Sequence, residues 1–230
     1  MRTHNRWQAP NSIHCPRCRL HTDLCACALL VPMPARTRVV LVAHVCELRK
    51  PTNTGRLAVA CLSGAHLIER GHQGGTLTTI PCAPDSQLLL LYPAPEAMPL
   101  DQWKAAQPHE AKQLTLVVPD GTWRQTKRVR YRTPGLEKAP VVCLPAGHSS
   151  RYRLRQTGPS QHLAILEAIA YALDILGEAE VANRLLYIFQ VIVDRTLWSN
   201  GRLTADEVTG GLPAGASQHG PRRISVSARD

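Results

Sequence analysis

The stretch Leu114-Thr-Leu-Val-Val-Pro-Asp120-Gly-Thr122-Trp123-Arg124-Gln-Thr126-Lys127-Arg128 decides the fold class. Its first half is apolar without alternation, the pattern of a strand buried on both faces. It ends in an acid, a glycine, a hydroxyl and a large aromatic, and a basic stretch with helical spacing follows. Open α/β sheets bind ligands just past the carboxyl ends of their strands, where this change of character falls. Asp120 is expected at the sheet's end, with Gly121 allowing a sharp turn or the close approach of a ligand. Thr122 is placed to cap the helix and Trp123 to stack on a base. A plainer arrangement also fits, in which Asp120 or Thr122 only caps the helix and Trp123 fills the core.

Outward from this stretch, Thr37–Ala43, Gln87–Tyr92 and Val141–Leu144 read as further buried strands. Thr76–Ile80 is a weaker one. Helical spacing is present over Thr54–Glu69, where Leu57, Cys61, Ala65 and Ile68 share a face, and over Trp123–Tyr131, 161–177 and 180–198. The last is so dense in apolar residues (Leu185 to Val193) that it belongs in a core or against a partner helix. Residues 93–99 read as a loop. Buried strands separated by helices predict an α/β fold with a mostly parallel sheet and helices on both faces. No Gly-x-Gly-x-x-Gly or Gly-x-x-x-x-Gly-Lys-Ser/Thr motif is present, so an ordinary dehydrogenase or ATPase has little support. The expected division is an amino-terminal arm and cysteine knuckle over 1–35, the α/β domain over 36–208, and a flexible basic tail over 209–230 carrying Arg222, Arg223 and Arg229.

Of 230 residues, 44% are hydrophobic, enough for a substantial core. No run approaches the roughly 18 apolar residues of a membrane span. The first residues lack a signal peptide's apolar segment, and eight cysteines are too few for a disulfide-stapled secreted domain of this length, so a cytoplasmic location is expected. The net charge is +10, carried by 22 Arg and only 5 Lys. Guanidinium groups suit phosphate oxygens and stacking on bases, which points to a polyanionic partner, RNA in the first place. No obligate protein partner is evident.

Cys15-Pro-Arg-Cys18, six residues, then Cys25-Ala-Cys27 places four thiols in 13 residues. Two close pairs joined by a short loop suit one tetrahedral zinc, and an all-cysteine shell leaves no open position for catalysis. Reduced core cysteines or a redox pair are the other readings. Nearby His14 and His21 are rival ligands but are expected to be exposed. Cys46, Cys61, Cys82 and Cys143 read as small core residues.

Three other segments carry polar groups. After the first strand, Asn53 is suited to bonding a base or carboxylate, Thr54 to capping a helix and Arg56 to pairing with a ligand carboxylate. Tyr92-Pro93 closes the second strand. In Ser149-Ser-Arg151-Tyr-Arg153-Leu-Arg155 an extended chain puts three arginines on one face, able to follow a phosphate backbone, although a solvated charged edge looks the same. Lys127, Arg128, Arg130 and Arg132 add positive charge, but a helix cannot turn all four the same way.

Together these residues resemble the DTW-domain family of tRNA-uridine aminocarboxypropyltransferases. The matching pieces are the Cys15/Cys18/Cys25/Cys27 knuckle, His44 and Glu47 with Thr52-Asn53-Thr54-Gly55-Arg56-Leu57, Leu91-Tyr92-Pro93, Asp120-Gly-Thr122-Trp123, Tyr152-Arg153-Leu154-Arg155 and Glu167-Ala168. They run in order over residues 15–173. The chain departs at Val45, where the family has proline, and at Ala164-Ile165, where it has Ser-Thr. The resemblance implies an S-adenosylmethionine-binding α/β fold related to the knotted SPOUT methyltransferases. It also implies transfer of a 3-amino-3-carboxypropyl group to N3 of a tRNA uridine, with 5′-methylthioadenosine released. On that basis Asp120, Thr122 and Trp123 are the expected catalytic residues, with Asp120 as general base. Asn53, Thr54, Arg56, Tyr92, Pro93, Asp120, Trp123 and Glu167 are expected around the S-adenosylmethionine. Lys127, Arg128, Arg151, Arg153 and Arg155 are expected on RNA phosphates. An RNA methyltransferase, the same transfer to ribosomal RNA, and a non-catalytic zinc-containing RNA-binding protein are the alternatives.

Overall fold

Apolar strands of five to seven residues with no polar alternation must be covered on both sides, and here they are. A computed structural model of the chain describes residues 13–72, 79–83, 85–107, 113–154 and 163–220. By contacts these fall into two units. The larger holds residues 30–150 and 163–186; the smaller holds 13–29, 151–154 and 187–220. This differs from the expected division, since the cysteine segment groups with the end of the last helix and with residues 200–220 rather than standing alone.

The larger unit is a six-stranded sheet of β1 (Arg38–His44), β2 (His66–Arg70), β3 (Gln87–Leu91), β4 (Met98–Pro99), β5 (Leu114–Asp120) and β6 (Val141–Cys143), in the order β2-β1-β5-β3-β6-β4. All five pairings are parallel. Helices α1 (Val45–Leu48), α2 (Gly55–Cys61), α3 (Leu100–Ala105), α4 (Trp123–Arg132) and α5 (Ile165–Ile175) connect or follow the strands, and α6 (Ala179–Ser199) starts in this unit and ends in the other. Successive residues of β1 serve opposite faces. Val40 and Val42 join Ile68, Leu90, Val117, Val141 and Val129 of α4 in one buried cluster. Leu41 points the other way, toward Gly55 of α2; a Cβ on Gly55 would lie 2.8 Å from Leu41 Cδ2 and 3.0 Å from Ile165 Cγ2 of α5, so the glycine lets these side chains pack closely on α2.

The register aligns the carboxyl ends of three strands: Ala43 of β1 lies opposite both Glu69 of β2 and Asp120 of β5, and His44 lies opposite Arg70. One expectation fails here. The helix predicted over Thr54–Glu69 ends at Cys61, and His66–Arg70 is strand β2. Leu62 is already extended and Gly64 turns at φ +73°, which reverses the chain into the sheet edge. The 3–4 spacing of Leu57, Cys61, Ala65 and Ile68 runs from a helix into the sheet's edge strand, where Leu57, Cys61 and Ile68 are each buried for different reasons. The segment read as a loop over 93–99 ends in β4, and α3 follows it. Of the weak strand over 76–80, residues 76–78 lie outside the described residues.

In the smaller unit Asp194 of α6 is almost fully buried and ties separate segments together. Its carboxylate accepts from Arg153, from Gln190 Nε2 at 2.8 Å, and from Thr209 Oγ1 at 2.6 Å. Ser217 N and His219 Nε2 bond Asp23, each at 2.9 Å. The tail expected to be flexible from 209 is thus anchored through 220. Leu185, Ile188, Phe189, Val191 and Val193 are buried within the chain itself.

Candidate functional site at the sheet edge

β5 ends where the expectation put it, and its last residue, Asp120, is half-buried. Asn53 Nδ2 donates to Asp120 Oδ2 at 2.6 Å. The same Asn53, through Oδ1, accepts from Arg56 N at 3.3 Å and so caps α2. Asn53 therefore does the capping expected of Thr54. The Thr54 hydroxyl instead accepts from Leu166 N of α5 at 3.4 Å, a long and weak bond. Burial raises the Asp120 carboxyl above the usual carboxylate range; the Asn53 bond opposes this, and the nearby Glu47 charge adds to it. A carboxyl raised by burial at a strand end is a candidate for proton transfer to or from a bound ligand.

Thr122 caps α4, its Oγ1 accepting from Gln125 N at 3.4 Å while Thr122 N donates to Gln125 Oε1 at 2.8 Å, a reciprocal capping box. Its hydroxyl oxygen serves the helix end, so the plainer of its two readings describes it. Trp123 is not core: it is 58% exposed, and its ring lies 5.9 Å from the ring of Tyr92, tilted by 59°. Pro93 follows on the exposed strand end. A large exposed aromatic beside a second ring leaves a face free for a flat ligand.

Glu167 is fully buried, and its Oε2 accepts from Ala164 N at 2.8 Å and from Ser150 Oγ at 2.7 Å. These bonds tie the Ser150 loop to the start of α5, which is the part of its expected role that the geometry describes. Arg56 is partly buried on α2. Lys127 and Arg128 are exposed on α4, while Arg130 is held by Glu96 at 2.7 Å.

A cavity of about 340 Å³ opens on Asp120, lined also by His44, Glu69, Arg70, His72, Gln125, Arg128 and Arg132. The sequence reading did not assemble it. The helical spacing over Thr54–Glu69 hides the strand end that carries Glu69, Arg70 and His72; the signal against it in the sequence is Ser63-Gly64, where the chain turns.

The DTW domain family matches residues 12–197. This chain belongs to the DTW-domain family. The DTW chain is 30% identical over 172 residues to tRNA-uridine aminocarboxypropyltransferase 2 of Macaca fascicularis, covering 70% of this chain and 56% of that one. It is 29% identical over 171 residues to the protein of the same name from Drosophila melanogaster, covering 70% and 66%. It thus spans little more than half to two-thirds of the length of the curated relatives it matches. Among solved structures, the SAM-dependent rRNA:acp-transferase Tsr3 from Vulcanisaeta distributa aligns with a TM-score of 0.42 and 20% identity, over 76% of this chain and 85% of that one.

In the smaller unit of the DTW chain, the four knuckle thiols come together, with Sγ of Cys15 and Cys27 3.3 Å apart and of Cys18 and Cys25 3.7 Å apart, all four within 4.8 Å. Sulfurs about 2.3 Å from a tetrahedral ion lie about 3.8 Å from one another, so the cluster fits a metal ion. Burial pushes the Cys18 thiol up to about 11; Cys15 is held at about 7, where backbone N–H groups of Cys18 and Arg17 outweigh its burial. Thiols this crowded stay partly protonated until a cation offsets their mutual repulsion. Arg195 donates to the carbonyls of Leu24 (3.2 Å) and Cys25 (2.8 Å), bracing the loop. The histidines stand apart from this set: His21 is buried, contrary to expectation, and stacks on His219 with ring centroids 3.7 Å apart. Of the scattered cysteines only Cys61 is buried, while Cys46 and Cys82 are exposed and Cys143 is intermediate. Cys46 lies in the four-residue helix α1, Cys82 in a loop and Cys143 at the end of β6, none of them inside a long apolar period.

Arg153 is not a plain phosphate contact, because it is the ion-pair partner of buried Asp194. Arg151 is exposed, and Arg155 lies outside the described residues. No helix among the described residues is long and apolar enough to cross a membrane.

Proposed function

We propose that the chain transfers the 3-amino-3-carboxypropyl group of S-adenosylmethionine to N3 of a uridine in tRNA and releases 5′-methylthioadenosine. Membership of the DTW family and the names of its relatives support this reading. The single observation that carries it in the structure is the Asn53–Asp120 bond, which joins two distant motifs at the sheet's carboxyl edge, where the chain also pairs Tyr92 with the exposed Trp123.

When bound, the sulfonium supplies three electrophilic carbons, and orientation selects among them. Trp123 with Tyr92 and Pro93 offers a flat surface for the adenine. Arg56, at the first turn of α2, offers a guanidinium to the amino acid carboxylate. Thr54 and Glu167 hold α2, α5 and the Ser150 loop around that space rather than touching the ligand. Uridine N3 is a weak nucleophile while protonated. Asp120, in its ionised form, takes the N3 proton as the N–C bond forms and the C–S bond breaks; Asn53 fixes which carboxylate oxygen is engaged. Lys127, Arg128 and Arg151 supply positive charge for the RNA backbone. The Cys15/Cys18/Cys25/Cys27 cluster holds one structural zinc, and the enzyme works in the cytoplasm.

Incubation of the purified protein with unmodified tRNA and S-adenosylmethionine, followed by nucleoside mass analysis, tests this. Addition of the aminocarboxypropyl mass to uridine is expected. Addition of a single methyl identifies an RNA methyltransferase instead, and RNA binding with no modified nucleoside identifies a non-catalytic RNA-binding protein.

A further inference from the structure

The cavity beside Asp120 is separate from the Asn53 side of that residue and has a composition of its own. One wall is a single face of α4, with Gln125, Arg128, Val129 and Arg132 at the i, i+3, i+4, i+7 spacing. The other is the aligned strand edge: His44 of β1, Glu69 and Arg70 of β2, and Asp120 of β5. Gly71, at φ +91°, passes so close to the His44 ring that a Cβ there would lie 2.3 Å from Nε2. The His44 ring is thus fixed in the wall, with Nδ1 accepting from Cys46 N at 3.2 Å.

The cations of the cavity are not equivalent. Arg70 is already engaged, donating twice to Arg132 O at 2.9 Å and to Thr133 Oγ1 at 2.6 Å, and so closes the carboxyl end of α4. His72 bonds Glu69 at 3.1 Å. Arg128 and Arg132 are exposed and form no ion pair with a described residue. Arg70 and Arg132 also sit close enough to repel: burial and the Arg132 charge both favour the neutral form of Arg70. Like charges held together at a cavity mouth favour an anion between them.

The Asp120 and Glu69 carboxyls, three arginines and a volume at the small end of the roughly 300–1,000 Å³ range of ligand sites together describe a receptacle for one nucleotide. Enzymes that act on a base draw it out of the stack into such a pocket. We propose that this cavity receives the target nucleotide of the RNA, its pyrimidine edge toward Asp120 and its flanking phosphate toward Arg128 and Arg132. The inference rests on the transfer reading above and adds where the acceptor sits: between α4 and the β2 edge, in a cavity that Asp120 lines and Asn53 does not. His44, Gln125 and His72 supply the remaining polar lining.

The test compares two charge-matched pairs on α4. Arg128→Ala/Arg132→Ala removes the cavity's cations; Arg124→Ala/Lys127→Ala removes two exposed cations of the same helix that do not line it. Transfer kinetics are measured against unmodified tRNA, with S-adenosylmethionine binding and thermal melting as controls. The cavity pair is expected to lower kcat about 10- to 100-fold at saturating tRNA, because the nucleotide is misplaced at Asp120. S-adenosylmethionine affinity should stay within about twofold. The outer pair is expected to raise KM for tRNA with kcat kept and to reduce the salt slope. Equal effects of the two pairs, or an unchanged kcat in the cavity pair, overturn the proposal. A wild-type protein that forms no aminocarboxypropyl product overturns the transfer reading instead. Filter binding of tRNA to the two double variants then decides the cavity's RNA role on its own, and an affinity unchanged in the cavity pair rejects it.

Discussion

The sheet edge and the cysteine unit are built on opposite plans. At the sheet edge, Asn53, Asp120, Tyr92 and Trp123 come from segments tens of residues apart and meet because parallel register puts the strand ends side by side. In the cysteine unit, four ligands within 13 residues converge through local spacing, and the surrounding chain, from Arg195 to His219, is tied on afterwards. The first region owes its geometry to buried apolar strands and should keep it without any ligand. The second crowds four thiols that repel once ionised and should depend on a bound cation.

The largest difference should appear on removing one carboxylate from the first region and the metal from the second. Asp120→Asn is expected to lower turnover by about 10²- to 10⁴-fold, the usual size of a lost general base. It should not lower the melting temperature at neutral pH. The sign follows from the raised carboxyl: the folded state binds this proton more tightly than the unfolded chain, so the group favours folding below its unfolded pKa of about 3.9 and loses that contribution as pH rises through the folded value. Near pH 7 the ionised carboxylate is a net cost that Asn removes. Kinetics beside thermal melting at pH 7 check both halves; a strongly destabilised variant would make Asp120 a structural residue.

Stripping metal with a chelator, or Cys18→Ser, should act in the reverse sense. We expect about one zinc per chain in the intact protein. Its loss should raise hydrogen exchange over 15–29 and 187–199 while β1 and β5 stay protected. Uniform deprotection of both units would show that they do not differ in the way described.

Arg153→Ala should be mainly a stability variant. It leaves Asp194 buried with one donor fewer; since the Arg153 side chain is half exposed, the loss should be roughly 1–2 kcal/mol rather than the 3–5 of a fully buried pair. Arg151→Ala, by contrast, should change tRNA affinity by a few-fold and stability hardly at all. Denaturant midpoints and salt-dependent tRNA binding on the two variants separate these roles.

The smallest effect is expected at Asn53→Ala. Loss of the α2 cap should cost about 1 kcal/mol. Loss of the bond that holds the Asp120 carboxyl down should move the acid limb of kcat/KM to higher pH, because the ionised form is needed. An unmoved limb would assign the titration to another group.

Reading the sequence recovered the parts whose signal is local. The strands ending at His44, Leu91, Asp120 and Cys143 are apolar runs bounded by turns, and the cysteine spacing is short-range. It misread β2 because Ala65 and Ile68 continue the helical period of Leu57 and Cys61, and with β2 went Glu69, Arg70 and His72. It gave Arg153 to RNA because the acid that claims it, Asp194, lies 41 residues away. It assigned the α2 cap to Thr54 rather than Asn53, since both are good capping residues and only the position of Asp120 chooses between them.

The most direct test of the central claim is the mass of the nucleosides in tRNA incubated with S-adenosylmethionine and either the wild-type protein or Asp120→Asn. The account predicts aminocarboxypropyl-uridine from the first and almost none from the second, with equal S-adenosylmethionine binding by both. Modified uridine formed equally well by the two proteins would contradict it.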